Sequence, residues 1–342
     1  MGVFSSKDFG ETHILHYTKF YDNKLYVYFP GRNKIISFDI FNNGQKFRFY
    51  AQESISTNTG AIFLVGGQVG TNDEDPSNLQ LGSGTLSTSL KMTNFVAKIN
   101  LNKHDNFEVH LEKMKPCPTL PEARSSHLLI YAKPYIFVFG GYLENNIPAK
   151  TNLKFDIKKR TWSPISNIGF ISHLEEPCGL SYNNETIYIF ETSTKTNLPR
   201  IFKYSIEMDT WQEAIIQHKS KHISIPSSIF CSAYQITDKD LMILGGTAGR
   251  EGGPKETKGF YYIFDTHTEE IRDFKYENVL DNWKKERQGD VNYSGMKYVY
   301  ARLGERNVKV FKKSTRRWET LDLGYEEVRH YPVSCCSKRE KF

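Results

Sequence analysis

One order of events recurs along this chain and limits what it can fold into. An apolar or aromatic run comes first, followed in three places by a Gly-Gly pair. A loop and a strand-like segment ending in an acidic or polar residue come next, and six residues later there is usually a tryptophan or another bulky residue. The copy at 124–166 is the clearest. Arg124-Ser125-Ser126-His127 leads into Leu128-Leu129-Ile130-Tyr131, a turn falls at Lys133-Pro134, and Tyr135-Ile136-Phe137-Val138-Phe139 runs into Gly140-Gly141. Leu153-Lys154-Phe155-Asp156 then reads as a strand, with Trp162 six residues beyond Asp156.

Two other copies keep the glycine pair. One holds Ala61-Ile62-Phe63-Leu64-Val65-Gly66-Gly67 and then Phe95 to Asn100. The other holds Leu241-Met242-Ile243-Leu244-Gly245-Gly246 and then Phe260 to Asp265, with Ile271 at the tryptophan position. A copy without the pair runs Thr186-Ile187-Tyr188-Ile189-Phe190-Glu191-Thr192, then Ile201 to Ser205, then Trp211. Weaker copies stand at each end, one with Leu25 to Phe29 and Ile35 to Asp39, the other with Val308 to Lys312 and Trp318. The residues six before the tryptophan position are Asp39, Asn100, Asp156, Ser205, Asp265 and Lys312, spaced 47 to 61 residues apart.

A repeat near fifty residues built of short strands predicts radially stacked sheets. One such sheet cannot bury both faces alone, and stacking around an axis covers them while leaving only short edges. Glycine pairs at strand ends suit crowded backbones or positive φ. The 23 Phe and 20 Tyr fit wide inter-sheet packing.

The run ending in Gly140-Gly141, the upstream Arg124 and His127, and Trp162 together resemble the kelch-repeat family of β-propellers, with Gly66-Gly67 and Gly245-Gly246 repeating the first mark. The resemblance is clearest at 58–113, 124–166 and 228–275. It implies an all-β propeller over 13–323 with six blades of about four antiparallel strands, seven being the other count considered. An N-terminal segment at 1–12 and a tail or closing strand at 324–342 flank it. A protein-binding role is what the family implies. Ligase-linking modules common in that family find no room beside the repeats in this sequence.

The formal net charge of +6 is mild for 342 residues, and the basic groups fall in short runs at expected turns, so no nucleic-acid partner is expected. Five cysteines without CxxC spacing point to a reduced, intracellular setting, cytoplasmic or cytoskeleton-associated. On that ground the sequons at Asn184 and Asn292 read as chance matches. No stretch approaches a transmembrane span. The opening Met1-Gly2-Val3-Phe4-Ser5-Ser6 matches a loose myristoylation pattern at Gly2, which would give weak, reversible membrane contact.

Acid–base chemistry has candidates in Glu122, Arg124, His127, His173, Glu175, Glu176, His218 and His222. His218 and His222 have the i, i+4 spacing of a metal pair on a helix, although their surroundings do not read as one. No HExxH, G-x-S-x-G or GxxxxGK[ST] occurs. No pattern marks the Tyr–Cys–His copper site of kelch-like oxidases. Arg124 and His127 sit at recurring repeat positions, which assigns them to the scaffold. No catalytic, cofactor-binding or metal residue is expected.

Insertions at 69–94, 167–177, 215–227, 247–258 and 276–289 break the repeat. The first reads as a polar surface loop, and the last as a short helix with Val279, Leu280 and Trp283 on one face. The expected function is therefore a non-catalytic interaction scaffold, a structural or assembly subunit of a larger complex that binds proteins through loops. A soluble regulatory or ubiquitin-ligase adaptor is the alternative, with a propeller enzyme behind both.

Overall fold

The computed structural model describes residues 15–18, 24–29, 34–39, 41–42, 45–46, 49–50, 53–57, 61–70, 90–103, 109–111, 115–167, 178–192, 199–214, 217–218, 228–247, 259–277, 293–294, 298–303, 307–322 and 329–331. These form an all-β, propeller-like arrangement of antiparallel meanders. The third sheet along the chain shows the plan. Leu128–Ala132 pairs with Tyr135–Phe139, that strand with Leu153–Asp156, and that one with Thr161–Pro164. The fourth repeats it with Cys178–Tyr182, Thr186–Thr192, Pro199–Ser205 and Thr210–Glu213. The sixth does so with Tyr293–Ser294, Tyr298–Leu303, Asn307–Lys312 and Arg317–Asp322.

The remaining large sheets depart from that plan. The first has Leu15–Thr18, Lys24–Phe29 and Lys34–Asp39, and its fourth place is filled by Arg329–Tyr331 from the far end of the chain, running parallel. The second has Glu53–Ser56, Ala61–Val65 and Val96–Lys103, the last pairing with both Val109–Leu111 and Lys115–Pro116. The fifth has Ser228–Gln235, Asp240–Thr247, Gly259–Asp265 and Glu270–Tyr276, with Gln217–His218 added parallel on the outside. The first strand of each sheet lies against the first strand of the next in chain order. The repeat predicts six four-stranded blades. That expectation is corrected to four blades of this form among the described residues, because the second and fifth sheets carry five strands.

Why the apolar runs are nearly continuous follows from the stacking. Strands alternate faces with a period of two. Ile187 and Ile189 pack on the third sheet with Phe137 and Phe139, while Tyr188 and Phe190 pack on the fifth with Leu241 and Ile243. Ile136 and Val138 turn instead to Phe63 and Val65 of the second sheet. Met242 and Leu244 meet Val299 and Phe311 of the sixth. Each fully buried side chain of this size contributes roughly 1.5–3 kcal/mol, so a strand covered on both faces gains about twice what a half-exposed one would.

The residue before each of the last four markers sits across the ladder from the tryptophan position. Phe155 pairs with Trp162, Tyr204 with Trp211, Phe264 with Ile271 and Phe311 with Trp318. The rings touch, with centroids 4.8 Å, 4.9 Å and 5.2 Å apart in the three tryptophan pairs. The indole N–H of Trp162 donates to Pro118 O at 2.9 Å and that of Trp211 to Ser166 O at 2.9 Å, each acceptor lying just past the last strand of the preceding sheet.

The acidic marker organises the intervening hairpin turn. Asp156 Oδ1 accepts the backbone N–H groups of Lys158 and Lys159 at 2.9 and 2.8 Å, and Asp265 Oδ1 accepts those of His267 and Thr268 at 3.0 and 3.2 Å. Two residues before the tryptophan position, Arg160, Asp209, Glu269 and Arg316 all have positive φ, between 50° and 60°.

Three expectations about local structure change. Gly245 and Gly246 continue the strand Asp240–Thr247, paired with Phe260 and Gly259, and do not end it as the other glycine pairs do. The 69–94 insertion is not all loop. Gln68–Gly70 pairs with Leu90–Met92 and with Phe49–Tyr50 in a separate three-stranded sheet. Tyr276 closes a strand, Glu277 follows it outside any helix with its N–H donated to Gly259 O at 3.0 Å, and residues 278–286 of the expected helix lie outside the described residues. Among the described residues the one helical segment is a 3-10 turn at Glu144–Asn146, and no helix is long and apolar enough to cross a membrane. Gly2 and residues 71–89, 168–177, 219–227 and 248–258 of the insertions also lie outside them.

Candidate functional site: the Arg124–His127 junction

Residues 117–127 carry the chain from the second sheet into the third, and both positive-φ glycine pairs close on this segment. Gly66 and Gly67 have φ of 60° and 96°, Gly140 and Gly141 of 58° and 86°. A Cβ on Gly66 would stand 2.5 Å from the Arg124 carbonyl oxygen, and one on Gly141 would stand 2.7 Å from that of Ser125. Glycine is thus required twice over, for the backbone angle and for the space. Gly67 N donates to Arg124 O at 2.8 Å, and Ser125 and Tyr142 exchange backbone hydrogen bonds at 3.0 and 2.9 Å.

Arg124 is fully buried. Its Nη1 donates to Gly140 O at 3.2 Å and to Thr151 O at 2.8 Å. Its Nη2 donates to Glu122 Oε2 at 2.9 Å and to Thr151 Oγ1 at 2.8 Å. Thr151 Oγ1 donates in turn to Glu122 Oε2 at 2.7 Å. Beside it, Asn152 Oδ1 accepts from Gly140 N at 3.3 Å. Burial pulls the guanidinium below its ordinary value, and the Glu122 charge opposes that shift. The Glu122 carboxylate is half-exposed, so this cation is tied to one anion and three neutral oxygens inside the blade junction.

His127 is also buried, with Gly66 and Gly141 pressed against its ring and Cβ. Neither ring nitrogen has a hydrogen-bond partner. Burial, assisted by the nearby Arg124 cation, lowers its pKa from 6.5 to about 3, so the imidazole is neutral at physiological pH. A general base must reach a substrate proton through hydrogen-bond contact. This ring is sealed under two glycine backbones and fills space.

The other candidates do not join this pair. His218 lies in the strand Gln217–His218, paired with Glu270 and Ile271, which removes the helical spacing with His222. His173, Glu175, Glu176 and His222 lie outside the described residues. No group of three or more His, Cys, Asp or Glu among the described residues is placed to hold a metal ion. Cys178 is buried and Cys117 half-buried, and burial raises the Cys117 pKa against the opposing charges of Arg160 and Lys98.

Sequence reasoning missed two polar networks. Thr151 and Asn152 carry no mark beyond preceding a strand, yet they receive Arg124 and cap Gly140. In the fifth sheet, Arg272 bridges the buried carboxylates of Asp240 and Asp265, and Lys239 approaches Asp265 at 3.6 Å. Burial opposes ionisation of Asp265, but the backbone donors of Thr268 and His267 and both cations outweigh it and hold its pKa below the usual range.

Comparison with models of protein families and with curated proteins gives no match.

Proposed function

We propose that this chain is a kelch-like propeller acting as a non-catalytic scaffold, a structural or assembly subunit that binds one or more proteins through the loops and turns at the ends of its sheets. The observation that carries this reading is the fate of Arg124 and His127. The polar residues with the most chemical promise are fully buried, spent on holding two sheets together, or sealed beneath glycines. Stacking likewise consumes both faces of the inner strands, leaving loops and turns as surface for recognition. Ile147 and Met208, 53% and 70% exposed, stand on such segments.

The test is a native pull-down of the full chain followed by mass spectrometry. A scaffold co-purifies in stoichiometric amounts with other proteins and loses them when a surface insertion is removed without unfolding. Isolation as a lone chain with a bound metal, or with turnover abolished by substitution of a single polar side chain, refutes it.

A further inference from the structure

The hairpin turns of the third and fourth sheets lie side by side at one end of the stack and carry opposite charge. In the third sheet the turn at Lys133-Pro134 meets the turn at 157–160, with Ile157 N donating to Pro134 O at 3.3 Å. In the fourth the turn at 183–185 meets the turn at 206–209, with Ile206 N donating to Glu185 O at 2.9 Å. Asn184 Oδ1 accepts from Lys133 N at 3.0 Å and ties the two sheets' turns together.

The third-sheet turns present Lys133, Lys158, Lys159 and Arg160, all exposed. The fourth-sheet turns present Glu185, Glu207 and Asp209, also exposed. Asp209 is committed inward, accepting from Ser166 N at 2.9 Å and Tyr204 Oη at 2.6 Å. Among the described residues Lys133, Lys158, Glu185 and Glu207 enter no ion pair, and Lys159 reaches Asp156 of its own sheet at 4.0 Å, so these charges are not neutralised across the two sheets. Between Glu207 and Asp209, Met208 stands 70% exposed at the tip of its turn.

Two adjacent patches of opposite sign on one face fit a particular partner. A two-fold axis between the third and fourth sheets lays the basic turns of one copy over the acidic turns of the other, and the same contact recurs on the far side of the axis. Each Met208 then meets the aliphatic stems of the opposing lysines, which cover apolar surface while their charged heads remain solvated. A purely acidic or purely basic partner would match one patch and be repelled by the other.

We propose that this face is a self-association surface, on which two copies of the chain pair about a two-fold axis with the Lys133, Lys158 and Lys159 turns of each against the Glu185 and Glu207 turns of the other.

Sedimentation of the purified full chain tests it. The expected result is a dimer at low ionic strength that shifts towards monomer near 1 M salt, where the screening length is about 3 Å. The pair Lys158→Glu with Lys159→Glu, and separately Glu185→Lys with Glu207→Lys, each weaken the dimer about tenfold or more. All four positions are exposed turn residues, so thermal unfolding stays close to the parent's and separates lost association from lost folding. Mixing the two reversed variants restores a dimer, because each sheet's turns again face the opposite charge. A wild-type chain that stays monomeric at low salt, a dimer that survives both reversals, or a mixture that does not re-form one overturns the proposal.

Discussion

The Arg124 guanidinium grips Thr151 twice, at the backbone carbonyl and at the hydroxyl, both at 2.8 Å. The contact fixes the loop after Gly140-Gly141 to the segment that enters the third sheet. Arg124→Ala removes a buried cation and strands the Gly140 and Thr151 acceptors it satisfied. A buried acceptor left without its partner costs about 1–3 kcal/mol, and urea denaturation is expected to show a loss of at least that order. A change below about 1 kcal/mol contradicts the role assigned to Arg124.

Gly141→Ala tests the backbone side of the same junction. Its φ of 86° and the 2.7 Å approach to the Ser125 carbonyl leave no place for a methyl group. A strained left-handed residue costs roughly 1–3 kcal/mol before any clash is added. Chemical denaturation is expected to show at least that, with the fold retained by circular dichroism.

His127 predicts a pH dependence of definite sign. Its folded-state pKa of about 3 lies below its ordinary value of 6.5. Between those values the unfolded chain binds a proton that the folded chain does not. This residue's contribution to stability is therefore fully present above the unfolded value, and it is lost progressively as pH falls through the window towards 3. His127→Leu sacrifices no hydrogen bond, because neither ring nitrogen makes one. It is expected to match the parent within about 1 kcal/mol at neutral pH and to lose less stability on acidification, measured by denaturation at several pH values.

The three described tryptophans at repeat positions differ in one bond. Trp162 and Trp211 donate to carbonyls of the preceding sheet, whereas Trp318 Nε1 is buried with no partner. Replacement by Phe removes a satisfied bond at 162 and 211, worth about 0.5–1.5 kcal/mol, and relieves an unsatisfied donor at 318. Thermal unfolding is expected to rank Trp318→Phe as the mildest of the three.

Much of the scaffold was legible because the stacking geometry writes itself into short-range patterns. Two-sided burial demands runs such as Ile187 to Phe190, and the Asx turn demands an acceptor at Asp156 or Asp265. What was illegible depends on contacts distant in sequence. A closing strand within 324–342 is one of two readings of that segment, but nothing local to Arg329–Tyr331 announces parallel pairing with Lys34–Asp39, nor does Gln68–Gly70 announce Phe49–Tyr50. Gly245-Gly246 spells the same pair as Gly140-Gly141 but stays in its strand, paired with Phe260 and Gly259. At the candidate site the recurring Arg124 and His127 were visible, while Thr151 and Asn152 were found only through the bonds they receive.

The scaffold reading stands or falls on what the chain carries with it. The most direct measurement is native mass spectrometry of the full chain captured under mild conditions, beside a variant in which residues 71–89 are replaced by a short Gly-Ser linker and whose thermal unfolding matches the parent's. The account predicts a stoichiometric complex for the parent and its loss or marked depletion in the variant. A parent recovered without any other protein, or a complex unchanged by the deletion and by removal of each other insertion in turn, contradicts it.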